Sequence, residues 1–107
     1  ARPQSPREQP AMTMEQARHY IRDTGNLLII DVRSRKEFFR GHLDHALNIP
    51  IHSFPHLVKT IPKDFPVLLY CFEGYRSLQA YKLLRRLRPD IKSIRYMAGQ
   101  FVIAPER

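Results

Sequence analysis

The residues with the most chemistry to offer in this 107-residue chain stand together as Cys71-Phe72-Glu73-Gly74-Tyr75-Arg76-Ser77. Cys71 is the sole cysteine, and it closes an apolar run, Val67-Leu68-Leu69-Tyr70, after which a long amphipathic segment begins. A loop between a buried strand and a helix N-terminus can turn its backbone N–H groups inward, adding their dipoles to the positive end of the helix. A thiol held there is expected to react as its thiolate, the nucleophilic form of cysteine. Gly74 permits the backbone angles that a ring of amides demands, and Ser77 is read as the N-cap of the helix behind it. The plain alternative is a core cysteine ending a buried strand, but that leaves the glycine and arginine after it without a purpose.

Spacing narrows the chemistry. Four residues separate Cys71 from Arg76, whereas the protein tyrosine phosphatase and Cdc25-like loops that wrap a phosphate have five. The pocket is therefore expected to be too small for a phosphate ester, yet able to accommodate the terminal sulfur of a persulfide on Cys71. These residues resemble the active-site loop of a rhodanese, or sulfurtransferase, domain. The likeness extends upstream through Asp31-Val32-Arg33, Glu37-Phe38, Gly41-His42-Leu43, Ala46 and Asn48-Ile49-Pro50, so that it spans most of Leu27 to Phe101.

That resemblance implies a single-domain sulfurtransferase in which Cys71 takes a sulfane sulfur from a donor and passes it to a thiol, cyanide or a protein acceptor. The loop residues Phe72, Glu73, Gly74, Tyr75, Arg76 and Ser77 would bind the substrate, with Asp31, Arg33, Glu37 and His42 supporting the site. Arg76 has two readings: it binds the anionic donor, or it braces the loop by pairing with an acid such as Asp31, and bracing is preferred. Two departures matter. Many thiosulfate-using relatives carry a basic residue just after the cysteine, and this chain has Phe72 and Glu73, so weak thiosulfate activity is expected. Ala98-Gly99-Gln100-Phe101 stands where relatives often have paired glycines and a tryptophan. A regulatory, protein-binding module of the same fold is the alternative function, and a phosphatase or arsenate reductase is a further one.

The loop needs elements to position it. Thr13 and Gln16 make a capping box, and Met14, Ala17, Tyr20 and Ile21 keep helical spacing up to Gly25. Leu27 to Ile30 is a continuous apolar run, the pattern of a parallel strand covered on both faces, with Asp31 at its carboxyl end, where ligand sites of α/β sheets collect. Ser34 and Glu37 form a second capping box for a short helix anchored by Phe38 and Phe39 and stopped by Gly41. Arg33 and Glu37 are close enough along that turn to pair, and His42 is expected to hold a backbone turn through its ring nitrogens. Ala46 to Ile49 reads as a short strand ended by Pro50, and Ser53 as the cap of a brief helix carrying Leu57 and Val58.

In the helix after the loop, Leu83, Leu84 and Leu87 fall within roughly 60° of Ala80, while Lys82, Arg85 and Arg86 take the opposite side. Pro89 ends it, Ile91 and Ile94 to Met97 give a last strand, and Gly99 opens the closing turn. The expected fold is α/β, rhodanese-like, with a small, mainly parallel sheet of about five strands and helices on both faces. It occupies residues 12–107 behind a proline-rich tail or linker over residues 1–11.

Bulk properties bound the rest. The length suits one domain with one modest core. A single cysteine excludes an internal disulfide. Eighteen Lys and Arg against ten Asp and Glu give a net charge of +8, which draws anionic substrates, an acidic partner or nucleic acid. No nucleic-acid motif accompanies the charge, so a solvated basic surface is the preferred reading. His52 and His56 have the spacing of a helical zinc pair, but Pro55 intervenes and Ser53 stands where a catalytic Glu would be needed, so neither metal nor cofactor is expected. No run is long enough to span a bilayer. The chain is read as a cytoplasmic monomer, or an exported one if a leader preceding Ala1 was removed, whose partners are a small sulfur donor or persulfide-carrying protein and a thiol acceptor.

Overall fold

The structure is a computed structural model that describes residues 9–99. In chain order it contains β1 (Ala11–Met12), α1 (Met14–Asp23), β2 (Leu28–Asp31), α2 (Arg35–Arg40), β3 (Leu47–Asn48), α3 (Phe54–Leu57), β4 (Val67–Tyr70), α4 (Tyr75–Leu87) and β5 (Ile94–Met97), with 3-10 turns at Ile51–Ser53 and Val58–Thr60 flanking α3. The five strands form one sheet in the order β1-β5-β4-β2-β3, and every pairing is parallel. The expected α/β architecture is thus present, and its sheet is parallel throughout.

The four residues of β4 are all buried, because the strand is central and covered on both faces. Alternation divides its side chains between two cores. Val67, Leu69 and Cys71 face a cluster with Ile30, Phe54, Ala80 and Leu84, under α3 and α4. Leu68 and Tyr70 face a cluster with Ala17, Ile29 and Met97, against which Phe38 of α2 and Ile21 of α1 pack. After β2 the chain adds β3 on one side and then β4 on the other. That reversal opens a crevice at the carboxyl ends of β2 and β4, the place where parallel sheets bind ligands.

Local chemistry sets the helix starts. Both predicted capping boxes are made, Thr13 with Gln16 and Ser34 with Glu37. Ser53 occupies the N-cap of α3 but its side chain makes no capping bond; Pro55 in the first turn has no N–H to be capped.

Several expectations need correction. Ala11, placed in the tail, already belongs to β1 and pairs with Tyr96 of β5, and the carbonyl of Pro10 before it accepts from the Tyr96 N–H at 2.9 Å. The remainder of the tail up to residue 8, with Gln100 and Phe101, lies outside the described residues. Phe39 does not anchor α2: it is 73% exposed, and Phe38 alone turns inward. Leu87 and Leu57 are exposed as well. Each sits in the final turn of its helix.

Candidate active site

Cys71 follows directly on the carboxyl end of β4, and α4 starts four residues later. Gly74 makes the connection possible. It takes φ +88°, ψ −11° at the N-cap of α4, a left-handed conformation that only glycine adopts without penalty. A Cβ on Gly74 would also lie 2.5 Å from the Gly99 nitrogen and 3.2 Å from the Ala98 carbonyl carbon. The loop therefore wedges its backbone against the segment that follows β5.

This turn aims two peptide N–H groups at sulfur. The Gly74 N–H donates to Cys71 Sγ at 3.1 Å and the Ser77 N–H donates to it at 3.3 Å. Ser77 is not the N-cap; it is the third residue of α4 and fully buried. The sulfur takes the part that an N-cap oxygen ordinarily plays, accepting from an N–H in the first turn that has no carbonyl partner. The Cys71 S–H can in turn donate to Ser77 Oγ at 3.5 Å. The Ser77 hydroxyl donates to the Met97 carbonyl at 2.8 Å, with the Gly74 carbonyl at 3.1 Å as a second acceptor. The thiol sits at the floor of the loop with 2% of the residue exposed. It is thus buried, as a structural cysteine would be, but the peptide donors point at it.

Around that floor the loop opens outward. Phe72 and Tyr75 are 45% and 68% exposed, and Glu73 between them is exposed too. Arg76 turns along α2 instead, where its Nη1 and Nη2 donate to the two carboxylate oxygens of Glu37 at 2.7 and 3.1 Å. Bracing is what the geometry contains, but the acid is Glu37 and not Asp31. Glu37 does not pair with Arg33 as the turn suggested. Its Oε1 also accepts from the Ser34 N–H and hydroxyl. The bond from Arg76 is the main reason that Glu37 titrates at about 2, with the Ser34 bonds adding to it against the opposing effect of burial. The same pair raises the Arg76 guanidinium above its ordinary value.

Asp31 and Arg33 form a second, deeper pair. Arg33 Nε donates to Asp31 Oδ1 at 2.9 Å and Nη2 to Oδ2 at 2.6 Å, with side chains 9% and 0% exposed. Burial works against the Arg33 charge, and the bonds to Asp31 more than offset it. Arg33 Nη2 also reaches the Gly41 carbonyl at 2.7 Å, which fixes the turn after α2. His42 Nδ1 lies 2.8 Å from the Phe38 carbonyl while its ring stacks on Phe38 at 3.6 Å, the turn-holding role expected of it.

Two supporting contacts were not read from the sequence, although Asn48 belongs to a segment that carries the family likeness. The Tyr70 hydroxyl accepts from the Leu43 N–H at 3.0 Å, and Asn48 Nδ2 donates to the Asp31 and Arg33 carbonyls at 3.0 Å each. Both are contacts across the sheet, and only the strand order brings them together.

An all-parallel α/β domain with a cysteine cradled by N–H groups at the carboxyl end of its central strand can hold a reactive thiolate where such sheets bind ligands. The Rhodanese-like domain family model matches residues 13–102, and the chain belongs to that family. A sulfurtransferase of Allochromatium vinosum is 40% identical over 60 residues, a match covering 56% of each protein. A thiosulfate sulfurtransferase of Stutzerimonas stutzeri is 32% identical over 66 residues, covering 62% of this chain and 59% of that one. The chain thus spans a little over half the length of these two curated relatives. Among solved structures, the human single-domain sulfurtransferase TSTD1 superposes with a TM-score of 0.67 at 27% identity, over 86% of this chain and 91% of that one. A rhodanese-related protein of Thermoplasma volcanium, 23% identical with a TM-score of 0.72 over 84% of each chain, shares the fold.

Proposed function

We propose that this domain is a sulfurtransferase that carries a sulfane sulfur as a persulfide on Cys71. The observation that supports this reading most directly is the pair of N–H groups, from Gly74 and Ser77, that converge on Sγ at 3.1 and 3.3 Å. In the first half-reaction the Cys71 thiolate attacks the outer sulfur of the donor. The Sγ–S bond forms, the bond from that sulfur to the rest of the donor breaks, and the donor remnant leaves with the electron pair as an anion. In the second, an acceptor thiolate or cyanide attacks the outer sulfur and Cys71 leaves as thiolate. With a thiosulfate or persulfide donor neither step needs a general base or a cofactor, because the leaving group in each is a stabilised sulfur anion.

The loop's contribution is electrostatic. N–H dipoles and the start of α4 favour negative charge on sulfur at no reorganisation cost, as an oxyanion hole does for oxygen. The outer sulfur of the persulfide stands about 2 Å beyond Sγ, toward the opening ringed by Phe72, Glu73 and Tyr75. With Arg76 held by Glu37, that rim presents an acid and two aromatic rings to the donor. A dianion such as thiosulfate meets repulsion from Glu73, so a persulfide on a small thiol or a protein is the better donor.

The test is intact-protein mass spectrometry after exposure to thiosulfate, cysteine persulfide and mercaptopyruvate in parallel. A gain of about 32 Da, one sulfur atom, is expected on the parent and not on Cys71→Ser. Cysteine persulfide should load fastest, and Glu73→Gln should lower the Michaelis constant for thiosulfate. A folded parent that gains no sulfur from any donor would overturn the reading.

A further inference from the structure

A buried hydroxyl beside the sulfur faces more acceptors than it can serve. Ser77, in the first turn of α4, is fully buried. Its Oγ lies 2.8 Å from the Met97 carbonyl, 3.1 Å from the Gly74 carbonyl and 3.5 Å from Cys71 Sγ. A serine hydroxyl carries one hydrogen, and one hydrogen cannot satisfy all three. While Cys71 is a thiol the choice is made by the sulfur, because the S–H donates to Oγ and the hydroxyl hydrogen goes to the nearest carbonyl, that of Met97 at the end of β5. Thiol, hydroxyl and carbonyl then form one directed chain of hydrogen bonds.

Ionisation reverses that chain. A thiolate has no hydrogen to give, so Oγ loses the donor it accepted from, and an anion now stands beside the hydroxyl. A hydrogen bond to an ionised acceptor is shorter and roughly twice as strong as a neutral one. Rotation about the Cβ–Oγ bond redirects the hydrogen to sulfur, at which the Ser77 N–H is already aimed at 3.3 Å. The surroundings favour the change, because the buried residues clustered with Cys71 are apolar and solvent reaches little of a residue that is 2% exposed. Electrostatic attraction acts at greater strength there than it does in water.

We infer that the Ser77 hydroxyl is a switching donor, bonded to the Met97 carbonyl while Cys71 is protonated and turned to Sγ whenever the sulfur carries charge. This deepens the sulfur-transfer reading, on which its catalytic consequence rests: Cys71 is an anion as it attacks the donor and again as it leaves in the second half-reaction. At both moments the sulfur then has three donors, the N–H groups of Gly74 and Ser77 and the Ser77 hydroxyl. The switch also frees the Met97 carbonyl, so the charge state of the sulfur is registered at the end of β5, beside the Ala98 and Gly99 backbone against which the loop is wedged.

Exchange of Cys71 with hydroxyethyl disulfide, followed from about pH 6 to about pH 10, tests the switch without any sulfane sulfur. The thiolate attacks one sulfur of the reagent, a mixed disulfide forms and mercaptoethanol leaves as its thiolate. Ser77→Ala removes the hydroxyl and should lower the thiolate population about tenfold at the acid end. A thiolate that has lost a donor is also the better nucleophile, and a Brønsted slope of about 0.4–0.5 recovers roughly threefold of that loss. The variant should therefore exchange about threefold slower than the parent near pH 6 and about threefold faster near pH 10, so that the two profiles cross. A merely structural role would scale the rate by one factor at every pH. The titratable groups on and beside the loop, Glu73, Tyr75, Arg76 with Glu37 of α2, and the Asp31–Arg33 pair at the end of β2, are common to both proteins. The parent carries a second test by nuclear magnetic resonance: the Met97 carbonyl carbon should shift together with the Cys71 Cβ as pH rises, and stay still in Ser77→Ala. Profiles that coincide or run parallel, or a Met97 resonance that ignores Cys71 ionisation or moves equally in the variant, would overturn the inference. Crossing profiles in a protein that gains no sulfur from any donor would instead overturn the sulfur-transfer reading and leave the switch standing.

Discussion

Replacing Gly74 with alanine should damage both the fold and the sulfur site, and the structure permits an estimate of each. A non-glycine residue at φ +88° costs about 1–2 kcal/mol. The added Cβ would then stand 2.5 Å from the Gly99 nitrogen and 3.1 Å from its oxygen, both backbone atoms. Overpacking of this kind typically costs a further 1–3 kcal/mol. The expected total is about 2–5 kcal/mol, a large share of the roughly 5–15 kcal/mol that stabilises a domain of this size. Relieving the clash has to shift residue 74 against its backbone neighbours, which disturbs the alignment of its N–H with Cys71 Sγ, now at 3.1 Å. Removing one such donor from an oxyanion hole slows reaction by about a hundredfold or more. Urea unfolding and the rate of sulfur loading, followed by mass spectrometry on protein that remains folded, measure the two effects separately. Gly25→Ala is the control, because Gly25 has no left-handed φ and a Cβ there meets no atom within 4 Å. If Gly74→Ala stayed within about 0.5 kcal/mol of the parent and loaded sulfur at the parent's rate, the wedge between the loop and Gly99 would not be what aims the N–H groups.

Glu37→Gln removes the charge that holds Arg76 while keeping an amide able to complete the capping box with Ser34. The Glu37 carboxyl falls from 4.5 to about 2 on folding, so its contribution is complete above pH 4.5 and is lost as pH falls toward 2. Both partners are about a third exposed, and solvent screening reduces the expected effect to about 1 kcal/mol; urea unfolding should show parent and variant differing by that amount at pH 7 and converging near pH 2. Asp31→Ala strands the buried Arg33 guanidinium, leaving it the Gly41 carbonyl and the face of the Tyr70 ring but no carboxylate bonded to it. A loss of about 3–5 kcal/mol is expected, larger than that of Glu37→Gln, and thermal unfolding of the two variants side by side checks the order.

The local features of this chain were determined by its sequence. Capping boxes, the strand pattern at Leu27 to Ile30, the continuous burial of Val67 to Tyr70 and the need for glycine at position 74 all follow from near neighbours, because helix caps, strand alternation and left-handed turns are short-range physics. The position of Cys71 at the end of a central strand is of the same kind, as is the turn held by His42 and Phe38.

Pairings between elements were decided by tertiary structure. Arg33 could reach Glu37 along the turn or Asp31 across it, and Arg76 could in principle have reached either acid. The strand order β4-β2-β3 sets α2 beside the Cys71 loop, and Asp31, buried at the end of β2, is matched by the nearer Arg33, so Glu37 is left facing Arg76. Ser77 was read as a cap from its residue type, yet its N–H needs an acceptor that only the folded loop supplies, and that acceptor is sulfur. The exposure of Phe39 is a similar case: two adjacent phenylalanines on a short helix both look like anchors, and only the packing against the sheet shows that Phe38 alone turns inward. Residue types and spacing fixed which groups could react; the arrangement of the strands decided which of them meet.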